Sequence, residues 1–274
     1  MDVCVQELLY IYIESGIPII ATLSSKNGHH AVIVIGRENI DNEIKYSKKL
    51  NLLSKSNSYP FSKTFEKVLI MNDNKPPFEV VDFDKPFYDS ESNSDYHFTS
   101  FIVPLYPKVF LEAYQFKNFF FTIINTLKKY EDTKHIEFTK DGEDFIYRFF
   151  LTSSNSYKDY IAKSTSLSKK FKTITICKCM PKFIWVAEVV RGNTINSKQK
   201  VDSIVVVDAT ESGLTGHLIF ASNSQYLIIK NSGEYNIDND LIEKEKNYTV
   251  FEFEKEIFYT FANNLKGEHT KWQN

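Results

Sequence analysis

A chain of 274 residues, 42% of them hydrophobic, can bury a sizeable core as one large domain or two modest ones, which excludes a disordered chain. A formal charge of −2 offers no global attraction to nucleic acid or anionic lipid, so no specific nucleic-acid partner is expected and any partner must be recognised locally. The odd set Cys4, Cys177 and Cys179 lacks the spacing of a disulfide framework or a complete zinc site, so a reducing, cytoplasmic compartment without metal or cofactor is expected.

With 23 Phe and 16 Tyr but only 9 Gly and 8 Pro, most of the chain should lie in regular structure. The opening "MDVCVQELLYIYIESG" carries Asp2, Glu7 and Glu14 and no Lys or Arg, unlike a signal peptide. It reads as an amphipathic helix, with Val3, Leu8 and Tyr12 in its apolar set, that stops at Gly16. "IPIIATL" (17–23) and "AVIVIG" (31–36) are strands joined by turn residues, with His29 and His30 where the second begins.

Residues 40–66 read as a polar connection, helical or irregular. "KVLIMNDN" (67–74) is a third strand running into a turn, "PPFEVVDF" a fourth, and the apolar strands are expected to share one antiparallel sheet. From Asn72 to Asp95 acids outnumber lysines, as in a solvated loop or, less simply, a cation-binding or substrate-facing lobe.

A strand at 99–105 leads through Pro104 and Pro107 into a long aromatic helix over about 110–130. Phe119, Phe120 and Phe121 cannot share one face, so that helix is expected to be covered on most of its circumference, as a central packing element would be. Beyond it, "DFIYRFFLTSS", "FKTITICKC", "KFIWVAEVVRG", "VDSIVVVDAT" and "SQYLIIKN" all read as strands. Seven lysines between Lys158 and Lys182 face a single acid, Asp159, which reads as a solvated basic face before it reads as a phosphate-backbone contact. No apolar run reaches the roughly 18 residues a membrane span needs. Phosphate-binding glycine loops, His-Glu-x-x-His and Gly-x-Ser-x-Gly are missing too, which leaves nucleotide, zinc-protease and serine-hydrolase chemistry without support.

The arrangement of helix, Gly16-Ile17-Pro18, strand and Gly28-His29-His30-Ala31-Val32-Ile33-Val34-Ile35-Gly36 resembles the papain-like cysteine peptidases, and among them the bacterial leader-peptide peptidases and their uncharacterised relatives. There a Gly-His-small-apolar strand carries the catalytic histidine directly before its small residue, which selects His30 over His29. A second likeness is "VLIMNDNKPPF", an apolar strand ending in an Asn-Asp pair, which would make Asp73 the group that orients the histidine. The resemblance covers roughly residues 5–110 and implies an α+β fold: a papain-like antiparallel sheet with helices over 1–107, then a helix and strand-rich region over 108–274 that can belong to the same globular unit.

Such a base needs a third group that accepts a hydrogen bond from its far ring nitrogen, and two neighbouring strand ends can supply both. In isolation His30 also reads as a satisfied strand-edge histidine and Asp73 as turn chemistry. The family's nucleophile stands at a helix N-terminus well upstream of the histidine, and here the sole preceding cysteine is Cys4, in the helix that leads into the first strand. Cys4 meets the helix-terminus condition for a reactive thiol, with Gln6 a weaker candidate as oxyanion donor. Cys177 and Cys179, two apart on one expected strand, read as packing or exposed residues before a redox pair, and Glu188 and Asp208 as structural carboxylates.

Two functions of different class remain. One is a cysteine peptidase or related thiol-dependent hydrolase, with His30 as base, Asp73 as orienter and the nucleophile from Cys4, a preceding segment or a partner chain, which includes a homo-oligomer. The other is a catalytically silent papain-like scaffold that binds a peptide or protein along the same cleft.

Overall fold

The first helix, α1 (Val3–Glu14), stops where the glycine places its end. Gly16 takes φ 69°, its N–H donates to the Ile13 carbonyl, and the Ile17 N–H reaches back to the Tyr12 carbonyl at 3.1 Å. This Schellman arrangement requires a left-handed residue, which glycine supplies without a Cβ clash, and Pro18 then bars continuation. The surroundings of α1 differ from the amphipathic expectation: Leu9, Tyr10, Ile11, Tyr12 and Ile13 are all buried, so the helix is covered all round. The computed structural model describes residues 3–37, 58–60, 67–75, 78–83, 85–89, 93–134, 145–191, 201–211, 218–223, 226–230 and 248–253.

Two sheets flank this helix in a mixed α+β architecture. The first contains β1 (Ile19–Ser25), β2 (Gly28–Arg37), β4 (Lys67–Met71), β5 (Glu79–Asp82), β6 (Phe87–Asp89) and β7 (Ser94–Ile102), in the order β5-β4-β2-β1-β7-β6, all antiparallel. Its period of two is clean near the centre. Ile19, Ala21, Leu23, Val32 and Val34 face the core, while Ile20, Ile33, Met71 and Ile102 are exposed neighbours across four strands on the other face. The acidic stretch from Asn72 to Asp95 is therefore partly sheet rather than a solvated loop; of its acids, Asp84 and Glu91 lie outside the described residues.

The second sheet has seven strands. An antiparallel meander joins β8 (Phe145–Ser153), β9 (Phe183–Arg191), β10 (Ser203–Asp208), β11 (Leu218–Asn223), β12 (Tyr226–Lys230) and β13 (Tyr248–Glu252). The short β3 (Ser58–Pro60), from the stretch read as a connection, pairs parallel with β8, so this sheet takes residues from both sides of position 107. The rest of 40–66 lies outside the described residues.

Three helices pack with these strands. In α2 (Ala113–Lys134), Phe116, Phe119, Phe120, Ile123 and Ile124 are buried while Tyr114, Asn118, Thr122 and Asn125 face solvent, so this helix, expected to be covered, is the amphipathic one. Phe116 stacks on Trp185 at 5.2 Å, and the Trp185 indole N–H donates to the Leu111 carbonyl at 2.8 Å. α3 (Ser154–Lys163) and α4 (Lys169–Cys177) are each capped by a serine, Ser153 and Ser168. The segment "FKTITICKC", expected as a strand, is thus mostly helix: Ser168 accepts the Phe171 N–H at 3.1 Å, and Phe171, Ile174 and Thr175 line its inner face at helical spacing. Among the described residues no helix is long and apolar enough to cross a membrane.

Polar groups tie α1 to both sheets. Glu14 pairs with Arg37 at the end of β2 and lies 3.8 Å from Arg148 of β8; Arg148 stands 3.1 Å from Glu188 of β9, which is 1% exposed. Ser15 Oγ accepts the Leu151 N–H at 2.7 Å, and Tyr12 OH accepts the Ala113 N–H that opens α2. Glu7 accepts from Tyr147 OH at 3.1 Å and from Lys117 at 2.5 Å. Burial, and then the Glu7 charge, push the Tyr147 phenol well above its ordinary range, so it stays a donor.

Removing one member of a buried charge network strands the rest. Arg148→Met should therefore lower unfolding free energy by about 3–5 kcal/mol, read from urea denaturation at unchanged m. Adding Glu188→Gln should recover a substantial part of that loss. A mild effect of Arg148→Met alone would mean that the network does not hold the layers together.

Candidate functional site

The β1–β2 hairpin turns through Lys26 and Asn27, with Ser25 opposite Gly28, so both histidines lie on β2 itself. Alternation then separates them. His29 is exposed on the outer face, where its Nδ1 lies 2.6 Å from Ser24 Oγ. His30, paired with Leu23, shares the face of Val32 and Val34 and forms the polar end of the core-facing row, its side chain 24% exposed.

Strand β4 ends beside it. Val68 and Ile70 face the core, and the same parity carries Asn72 toward His30. His30 Nε2 lies 2.9 Å from Asn72 Oδ1 and 3.4 Å from Asp73 Oδ1. Asn72 Oδ1 also accepts the Asn74 N–H at 3.1 Å. That second bond identifies it as an acceptor, so Nε2 carries the proton it donates, and in the neutral form of the ring the lone pair falls on Nδ1. Asp73, 81% exposed, contributes a screened charge at the same nitrogen. The arrangement can hold an imidazole in one tautomer, ready to accept a proton at Nδ1.

The sequence reading missed Asn72, the nearer partner. The signal was available in the alternation of Val68, Ile70 and Asn72 on one face, which places Asn72 rather than Asp73 inward.

The turn that presents Asn72 and Asp73 is held from both ends. The Lys75 N–H donates to the Asn72 carbonyl at 3.2 Å, while its ammonium lies 2.7 Å from Asp89 of β6 and 3.5 Å from Glu79 of β5. The hydrogen bond to Asp89 is the main cause that raises the Lys75 pKa, with burial opposing it and the Glu79 charge assisting.

The remaining candidates separate. Cys4 falls in the first turn of α1, and its side chain, like that of Gln6, lies outside the described residues. The direction of α1 is informative: its C-terminal Glu14 meets the C-terminal Arg37 of β2. Tyr10 packs 5.7 Å from Phe83, and Phe83 packs 5.2 Å from Phe98, the partner of Leu23 that in turn pairs with His30. Nearer Cys4, Glu7 is held by Tyr147 of β8 and Lys117 of α2.

Cys177 ends α4 and Cys179 lies just beyond it, both exposed, so neither is brought to His30 and they do not share a strand face. Glu188 belongs to the ion network, and Asp208 accepts the Thr210 N–H and hydroxyl, both at 2.7 Å. The lysines of 158–182 disperse over α3, α4 and the loop after them: Lys163 pairs with Asp159, and Lys182 lies over the Phe183 ring. Among the described residues no group of three His, Cys, Asp or Glu side chains could hold a metal ion.

Nitrogen-15 NMR of the imidazole should show His30 as the Nε2–H tautomer; Asn72→Ala should shift the population toward Nδ1–H, whereas Asp73→Ala should leave it nearly unchanged. The reverse ranking would make Asp73 the orienting group. For Lys75, a raised folded-state pKa means that its stabilisation is full below the ordinary value of 10.5 and is lost as pH rises through the higher folded value. The melting-temperature difference between wild type and Lys75→Met should accordingly hold steady through neutral pH and shrink in the alkaline range above it.

No family model, curated protein or solved structure matches this chain.

Proposed function

We propose that the chain is a papain-like thiol hydrolase domain of the cysteine-peptidase class, acting on a peptide or protein. The observation that carries this reading is the 2.9 Å contact from His30 Nε2 to Asn72 Oδ1, which leaves Nδ1 as the base on the core-facing side of the sheet. In this reading His30 takes the thiol proton, Asn72 and Asp73 hold the ring and stabilise the imidazolium, and the thiolate attacks the substrate carbonyl. Cys4 is the candidate nucleophile within this chain, because it occupies the first turn of α1. A helix N-terminus favours the thiolate by its unpaired N–H groups and dipole. A cysteine from a partner chain would serve the same base.

Labelling by a thiol-directed electrophile, followed by peptide mass spectrometry, tests the reading. Positioned base catalysis contributes typically 10²–10⁴-fold, so His30→Ala should slow labelling of Cys4 by at least roughly tenfold, with Asn72→Ala intermediate. Equal rates in wild type and His30→Ala would remove Cys4 as nucleophile, and the same comparison with a partner's cysteine would then decide between enzyme and silent scaffold.

A further inference from the structure

Cys177 and Cys179 sit far from this chemistry in the fold and carry a separate one. Both thiols are free and exposed, one at the last residue of α4 and one just beyond it. The residue between them is fixed: Lys178 caps the helix at φ −64° and ψ 128°, and its N–H donates to the Ile174 carbonyl at 3.1 Å. Its carbonyl accepts from Lys158 at 2.6 Å. Downstream, Met180 packs against the core, Pro181 stiffens the chain, and the Lys182 carbonyl accepts the Ser154 N–H at 3.0 Å. The segment is therefore a held loop that presents two sulfurs.

Its dimensions suit a bridge. Two residues at full extension span at most about 7 Å between Cα atoms, and the Lys178 conformation is short of full extension. The Cys177–Cys179 separation then falls within the roughly 4.4–6.8 Å range of disulfides. Position distinguishes the two thiols, because Cys179 lies beyond the end of the helix. Cys177 stands at the carbonyl end of α4, a poorer place for negative charge.

We propose that Cys177-Lys178-Cys179 is a redox-active dithiol site that exchanges with low-molecular-weight disulfides. The Cys179 thiolate attacks one sulfur of the disulfide, breaking its S–S bond, forming a mixed disulfide and releasing one thiolate. Cys177 then loses its proton to water and attacks the Cys179 sulfur, closing the protein disulfide and expelling the second thiolate. The two protein thiols are oxidised, the small disulfide is reduced, and the two released thiolates take up the two protons. The step stands independently of His30 and Asn72.

Incubation of the full chain with oxidised glutathione, with intact-mass measurement and peptide mapping, tests the site. The wild type should lose two hydrogen masses, mapped to the peptide holding both cysteines, with only transient glutathione adduct. Cys177→Ser should stop at a stable adduct on Cys179, and Cys179→Ser should form an adduct more slowly, on Cys177. These variants are on the surface, and unchanged circular dichroism confirms their folding. Stable adducts on the wild type without a ring, or no reaction at either cysteine, would overturn the proposal. Faster adduct formation in Cys179→Ser than in Cys177→Ser would overturn the assignment of Cys179 as the attacking sulfur.

Discussion

The fold depends on a charge network buried between its layers. Glu14 stands between Arg37 of the first sheet and Arg148 of the second, and Arg148 passes the pairing on to Glu188. Hydrophobic burial alone would let α1 slide or rotate between two apolar faces, since its own surface is apolar nearly all round. Charges removed from water are costly unless they meet at one geometry, so the network converts a non-directional contact into a registered one. Glu7, held by Tyr147 and Lys117, fixes the other half of the helix in the same way.

Registration of α1 is what gives the His30 face its meaning. The row Val34, Val32, His30 continues an apolar core stripe into a polar end, and only a covered face makes that transition chemically useful. At the partly exposed edge, with its side chain 24% accessible, His30 keeps contact with solvent while its Nε2 is committed to Asn72. The Lys75 contacts with Asp89 and Glu79 make the opposing turn as firmly placed as the strand. The outer histidine, His29, shares none of this and bonds a serine on its own sheet face.

Much of the first sheet was legible because its rules are local. Gly16 and Pro18 end a helix, alternation marks β1, β2 and β4, and the α+β class with antiparallel pairing follows from them. The relative roles of the two long helices were not legible, because cover depends on what lies opposite. The triple phenylalanine of α2 pointed to a central element, yet its exposed residues at 114, 118, 122 and 125 form a wet stripe, and the polar positions of α1 turned out to be internal ties. In α4 the alternating Thr and Ile read as a strand by β-propensity, while the Ser168 cap and tertiary burial of Phe171 and Thr175 selected the helix. Strands β11 and β13 were passed over, and β3 pairs across a sequence separation that no local pattern reveals. At the site, His30 and Asp73 were within reach of a motif, but Asn72 needed the parity of β4 to be followed one residue past its end.

A general base and a nucleophile place unequal demands on a scaffold. The base must hold its tautomer and its angle, which two adjacent strand ends cross-linked by a turn can do. The nucleophile needs a helix N-terminus and proximity, and α1 supplies the terminus at the end of an element whose anchors, Glu7 and Glu14, both lie C-terminal to Cys4. The sheet-borne half can therefore persist unchanged whether the thiol comes from Cys4 or from another chain. Under the proposed thiol-hydrolase reading the nucleophile comes from the first turn of α1 or from another chain's thiol, whereas the fold turns on the last turn of α1.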